Sequence, residues 1–147
     1  MKIHQLSVFV ENKPGRLASP CRLLANAGLN IVTLSLADTQ QFGILRLLVR
    51  DWQQALAVLQ AAGMVVNVTE VLAVEVPDRP GGLADILDIA GQAGINVEYM
   101  YAFAEKVSDR AVLVFRFDDP DKAIRSLADA SVNVLNSVEL YELLERG

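Results

Sequence analysis

The stretch Val76-Pro77-Asp78-Arg79-Pro80-Gly81-Gly82-Leu83-Ala84, followed by Ala93-Gly94-Ile95-Asn96-Val97, decides how this chain is read. The same punctuation occurs 66 residues earlier, as Val10-Glu11-Asn12-Lys13-Pro14-Gly15-Arg16-Leu17-Ala18 and then Ala27-Gly28-Leu29-Asn30-Ile31. Further along the spacing becomes 68, which matches Asp51 with Asp119, Ala55 with Ala123 and Leu59 with Leu127. A short insertion around Glu105-Lys106-Val107 accounts for the drift. The chain is an internal duplication, with expected modules at 1–70 and 71–147.

Each copy parses in the same way. Leu6 to Val10 alternates as a strand does, and Pro14-Gly15 turns the chain. Leu17, Cys21, Leu24 and Gly28 then fall at helical spacing, as do Leu83, Leu87, Ala90 and Gly94. Gly28 and Gly94 sit where a helix ends in a left-handed cap. Asn30 to Leu36 and Ile44 to Val49 read as the next two strands. Asp51 caps a second helix bearing Trp52, Ala55, Leu56 and Leu59. In the second copy Asp119 caps and Pro120 takes the first helical position. Val65 to Val68 closes the first module and Val132 to Val134 the second, and Val65 to Pro77 is β-prone almost throughout. Pro20 inside the first helix is tolerable only in its first turn, so that helix is expected to start near Arg16 or Leu17. The order βαββαβ, twice over, predicts an α+β fold: two ferredoxin-like modules, each an antiparallel sheet with helices on one face.

The bulk properties exclude several function classes. The net charge is −5 and the pI about 4.8, with no lysine or arginine cluster to attract nucleic acid. No apolar run approaches the ~20 residues that cross a bilayer, and the amino terminus lacks a signal-peptide pattern. One cysteine, Cys21, permits no internal disulfide. A soluble, cytoplasmic protein is the expectation.

No catalytic set is visible. His4 is the only histidine, and no serine–histidine–aspartate or cysteine–histidine spacing occurs. No cluster suits a metal, since Asp118, Asp119 and Asp121 are explained by capping. The protein is therefore not expected to be an enzyme, and no cofactor or metal is expected. The turns after the first strand of each copy carry more chemistry. Each leads straight into a helix, whose free N–H groups and dipole suit a carboxylate. Glycine lets that backbone approach a ligand closely. A neighbouring Asn12 or Asp78 can hold an ammonium group, and these two needs together describe a free α-amino acid. Turn chemistry alone also explains the Pro-Gly pairs. Asn30 and Asn96 are either turn residues or a second wall of amide groups. Tyr99, Tyr101 and Phe103 alternate on one strand face, whereas the corresponding strand of copy one bears Thr33 and Ser35. Strands apolar on both faces, such as Ile44 to Val49, imply that a partner module or subunit covers the face away from the helices.

The Pro-Gly turns and the Ala-Gly-Leu-Asn-Ile and Ala-Gly-Ile-Asn-Val segments, in their duplicated βαββαβ order, resemble a tandem ACT domain over nearly the whole chain. Asp78-Arg79-Pro80-Gly81-Gly82-Leu83-Ala84 is close to the commonest family form. The resemblance implies a regulatory module that binds a small molecule, typically an amino acid, with domains paired edge to edge. It places ligand between the first turn of one domain and the start of strand two of a neighbour. Carried over, that implies Asn12, Lys13, Pro14, Gly15 and Asn30 in copy one, and Asp78, Arg79, Pro80, Gly81 and Asn96 in copy two. Copy one departs from the family form at Asn12-Lys13 and at Arg16, which either crowds its site or adds a carboxylate contact. The expected protein is a stand-alone, homodimeric amino-acid sensor. The alternative is a regulatory subunit of a separate amino-acid biosynthetic enzyme, similar to the acetolactate synthase small subunit.

Overall fold

A computed structural model describes residues 1–38, 41–103 and 110–145. The insertion expected at Glu105-Lys106-Val107 lies outside them. The chain forms two compact units, His4–Thr69 and Glu70–Gly147, the latter also including Met1–Ile3. The division falls inside one strand, β4 (Val66–Pro77), which continues where a linker would otherwise stand.

The amino-terminal unit contains β1 (Ile3–Glu11), α1 (Ala18–Asn26), β2 (Ile31–Asp38), β3 (Phe42–Val49), α2 (Trp52–Ala61) and the first part of β4. Its strands run in the order β2-β3-β1-β4. Leu6, Val8 and Val10 alternate onto the face that packs Leu24 of α1 and Ala55 and Leu59 of α2. Four residues of β3 lie directly opposite β1 as Leu47, Arg46, Leu45 and Ile44, facing Leu6 to Phe9 in turn. On the opposite face of β1, Gln5 is 0% exposed and donates to Ser7 Oγ at 3.2 Å, whereas Phe9 is 40% exposed.

The carboxy-terminal unit repeats the plan with the rest of β4, α3 (Gly82–Gln92), β5 (Val97–Ala102), β6 (Arg110–Phe117), α4 (Pro120–Asp129) and β7 (Val134–Leu135). β6 pairs one side of β4 and β7 the other, with β5 outside β6. Leu72, Val74, Val76, Phe115 and Phe117 meet Ile86, Ala90, Ala123 and Leu127 in its core. Val71, Ala73, Val112 and Val114, on the other face, are also buried.

Caps explain where the helices begin and end. Asp51 accepts from Gln54 N at 3.2 Å, and Asp119 from Lys122 N at 3.1 Å. Each such cap contributes about 1 kcal/mol. Helices α1 to α4 all close with the same left-handed residue, at Gly28, Gly63, Gly94 and, exceptionally, Ser131 with φ 60°. In α1 the closure bonds are Gly28 N to Ala25 O and Leu29 N to Leu24 O.

Helix α1 starts at Ala18 with Leu17 as its N-cap, so Pro20 falls in the first turn as expected. Three details depart from expectation. Pro20 and Leu24 face the core, while Leu17, expected on that face, is 40% exposed. The last strand is Val134–Leu135 rather than Val132 to Val134. An additional helix, α5 (Ser137–Glu145), follows it. Its start is capped by Asn136, whose Oδ1 accepts from Glu139 N at 2.8 Å.

Candidate functional site

In the second turn, Gly81 takes φ 87°, a conformation that side chains resist. Gly82 is the first residue of α3, and a Cβ there would stand 2.1 Å from Pro77 O. Only glycine permits that approach. Arg79 then clasps the turn: Nη2 lies 2.9 Å from Asp85 Oδ2, and Nη1 donates to Pro80 O at 3.1 Å. The helix therefore opens directly from the turn, with Asp85 N bonded back to Gly81 O.

The first turn holds Arg16 in place of Gly82. Gly15 keeps the left-handed φ of 82°, but the helix begins two residues later in the repeat, at Ala18. Lys13 pairs with Glu11, at 3.1 Å from Oε2, instead of clasping forward. The Lys13 hydrogen bond and charge, with Arg16 adding, hold the Glu11 carboxyl below the usual carboxylate value. Asn12 and Lys13 line a cleft of about 60 Å³ together with Val10, Leu17 and Leu36. Pro14, Gly15, Pro80 and Gly81 are exposed, as are Asp78 and Arg79.

Asn30 and Asn96 are exposed and stand apart from the turns. Glu11 pairs with Phe42 at one end of β3, whereas Ile31 pairs with Val49 at the other. Seven strand steps separate those ends, roughly 23 Å. The carboxy-terminal unit repeats this: Pro77 pairs with Arg110 and Val97 with Phe117, the two ends of β6. Asn96 is fixed there by exchange with Asp118, whose Oδ1 accepts from Asn96 N at 3.0 Å. Within one unit, then, the turn and the asparagine do not meet.

Residues 1–144 match the model of the ACT domain pair. The chain belongs to the ACT domain pair family. An ACT domain pair is a regulatory domain. Protein BT0572 from Bacteroides thetaiotaomicron is 38% identical, with a TM-score of 0.90 and 96% of each chain covered. The regulatory subunit of aspartate kinase from Thermus thermophilus, in its ligand-free form, shares the fold at 17% identity and TM-score 0.62. That likeness covers 86% of this chain and 91% of that one. No curated protein matches. Among the described residues of this ACT domain pair, no group of three or more histidine, cysteine, aspartate or glutamate side chains could hold a metal ion. Nor is any described helix long and apolar enough to cross a membrane.

Gly82, Leu17 and Leu36 were not among the residues assigned to the site from sequence. The signal for Gly82 lay in the repeat itself, where Gly81-Gly82 stands against Gly15-Arg16. Leu36 becomes part of the cleft only through the pairing of β2 with β3, which sequence spacing does not reveal.

Proposed function

We propose that this protein is a regulatory sensor that binds a free amino acid between two copies of itself. The observation that carries the reading is the open edge of each unit. β2 is the edge strand of one unit and β5 of the other. Leu34 and Leu36 are 50% and 48% exposed along β2, and Met100 is 40% exposed along β5. Such an edge, with apolar side chains exposed along it, favours strand addition.

A second copy is the natural complement, because antiparallel pairing of like edges is isologous. It also resolves the separation of turn and asparagine. In an antiparallel β2–β2 pair, the start of one strand lies beside the end of the other. The end of β2 is where Asp38 pairs with Gly43, next to the turn. Asn30 of one copy is thereby brought to Asn12, Lys13, Pro14 and Gly15 of the other. A β5–β5 pair does the same for Asn96 with Asp78, Arg79, Pro80 and Gly81. The turn offers amide groups to the carboxylate, and the asparagine offers its amide oxygen to the ammonium. Ligand that bridges copies stabilises one arrangement of them, and that linkage is the signal.

Thermal unfolding against the twenty amino acids tests the proposal. A selective rise in Tm is expected, equivalent to about 2.7 kcal/mol at a hundredfold excess over Kd. A flat panel, with the chain folded throughout, would contradict it.

A further inference from the structure

The duplication leaves each unit with an open edge, and the two edges are not equivalent. Val32, Leu34 and Leu36 along β2 correspond, by the 66-residue repeat, to Glu98, Met100 and Ala102 along β5. Both strands carry a register shift at the first of these, Val32 or Glu98. The Glu98 carboxylate lies 3.7 Å from Arg116 Nε of the neighbouring β6. An antiparallel pair of copies centred on Leu34 sets that leucine against its own counterpart and Val32 against Leu36, so every contact is apolar. A pair centred on Met100 instead sets Glu98 against Ala102. That contact strips water from a carboxylate and offers one methyl group in return. A charge on an exposed edge is also a common means of keeping strands apart.

The hollows beside the turns differ in the same sense. The cleft at the first turn is lined by Val10, Leu17 and Gly43 and includes Leu36, a residue of the edge strand itself. The cavity at the second turn is lined by Pro77, Gly82 and Arg110 together with Glu75 and Asn133. Asn133 leads into β7, which pairs the side of β4 away from β6 and β5. That cavity therefore extends toward the side of the sheet opposite the β5 edge. Apolar surface follows the same division. Phe9, Phe42 and Val65 are all exposed in the amino-terminal unit. Their counterparts are Glu75, Arg110 and Asn133. The match is fixed by pairing: Glu75 N donates to Asn133 O as Phe9 N does to Val65 O, and Arg110 faces Pro77 as Phe42 faces Glu11. Exposed apolar surface is what drives association.

We infer that copies join through β2 of the amino-terminal unit and not through β5, so that the first turn is the site completed in the dimer. This rests on the reading of a ligand held between copies and narrows it to one of the two edges. Asn30 of one copy completes the first turn of the other. Asn96 and the second turn stay separated, as they are within one unit.

Sedimentation velocity of the full chain tests the assignment, with glutamate placed at the equivalent points of the two edges, Leu36→Glu and Ala102→Glu. Leu34→Lys is a second β2 variant, and thermal unfolding reports that each is folded. Leu36→Glu and Leu34→Lys are expected to weaken the dimer by about tenfold or more. Ala102→Glu is expected to leave its dissociation constant within about threefold of the wild type. Thermal unfolding with the twenty amino acids should lose its selective shift in Leu34→Lys and keep it in Ala102→Glu. Dissociation by Ala102→Glu alone, or equally by variants at both edges, would overturn the assignment, as would a monomeric wild type. A dimer broken only at β2, whose melting temperature no amino acid raises, would uphold the edge and overturn amino-acid binding.

Discussion

The two turns, Lys13-Pro14-Gly15-Arg16 and Arg79-Pro80-Gly81-Gly82, differ by little in sequence and by much in consequence. Both pivot on a left-handed glycine, Gly15 or Gly81. The second then presses Gly82 against Pro77 O and starts its helix at once. The first carries a Cβ at Arg16 and starts its helix at Ala18. The position where a helix begins fixes where its unbonded N–H groups point. One side chain therefore changes the binding surface of a turn whose fold is otherwise repeated. The basic residues diverge accordingly: Arg79 reaches forward to Asp85, whereas Lys13 reaches back to Glu11.

The largest expected effect follows from the close approach. Gly82→Ala must displace backbone, because the atom met at 2.1 Å is a carbonyl oxygen. Urea unfolding is expected to show a loss of about 2–3 kcal/mol. Arg16→Gly should change stability by less than about 1 kcal/mol. Equal effects at the two positions would break the comparison.

Next come the pivots, where the copies should agree. Gly15→Ala and Gly81→Ala each force a side chain into left-handed backbone, at a cost of about 1–2 kcal/mol. No atom lies within 4 Å of a Cβ at Gly15, and at Gly81 only the movable Arg79 Nη1 does, at 3.6 Å. Similar losses in both variants would confine the difference between copies to the following residue.

The smallest effect concerns charge. The Glu11 carboxyl is held below its ordinary value by Lys13. Since the folded state favours the ionised form, its contribution to stability is present above the ordinary carboxylate value. That contribution disappears as pH falls through the lowered one. An NMR titration of the Glu11 carboxyl should therefore show a midpoint below 4.5, moving up in Lys13→Ala. An unmoved midpoint would mean that the Lys13 pair is not formed in solution.

The sequence carried most of the fold because its punctuation is local. Asp51, Asp119-Pro120, Gly28 and Gly94 each act within one helical turn, and each was found in the expected role. The phase of α1 was harder to read. Counting from Leu17 placed that residue on the core face, but the helix starts later, and Pro20 takes the buried position. Helix α5 had a legible signal, Asn136 three residues before Glu139, in a segment for which the sequence analysis names no helix. The site was less legible. Residue types marked the turns and the two asparagines, but their separation depends on strand register, a property of pairing rather than of spacing.

Sedimentation velocity of the wild-type chain and of Leu36→Glu, each with and without the amino acid that raises Tm, tests the central claim most directly. The account predicts a wild-type dimer that tightens with ligand, and a monomeric variant that binds the same amino acid at least tenfold more weakly. A folded, monomeric Leu36→Glu chain that binds it as well as the wild type would contradict a site built between copies.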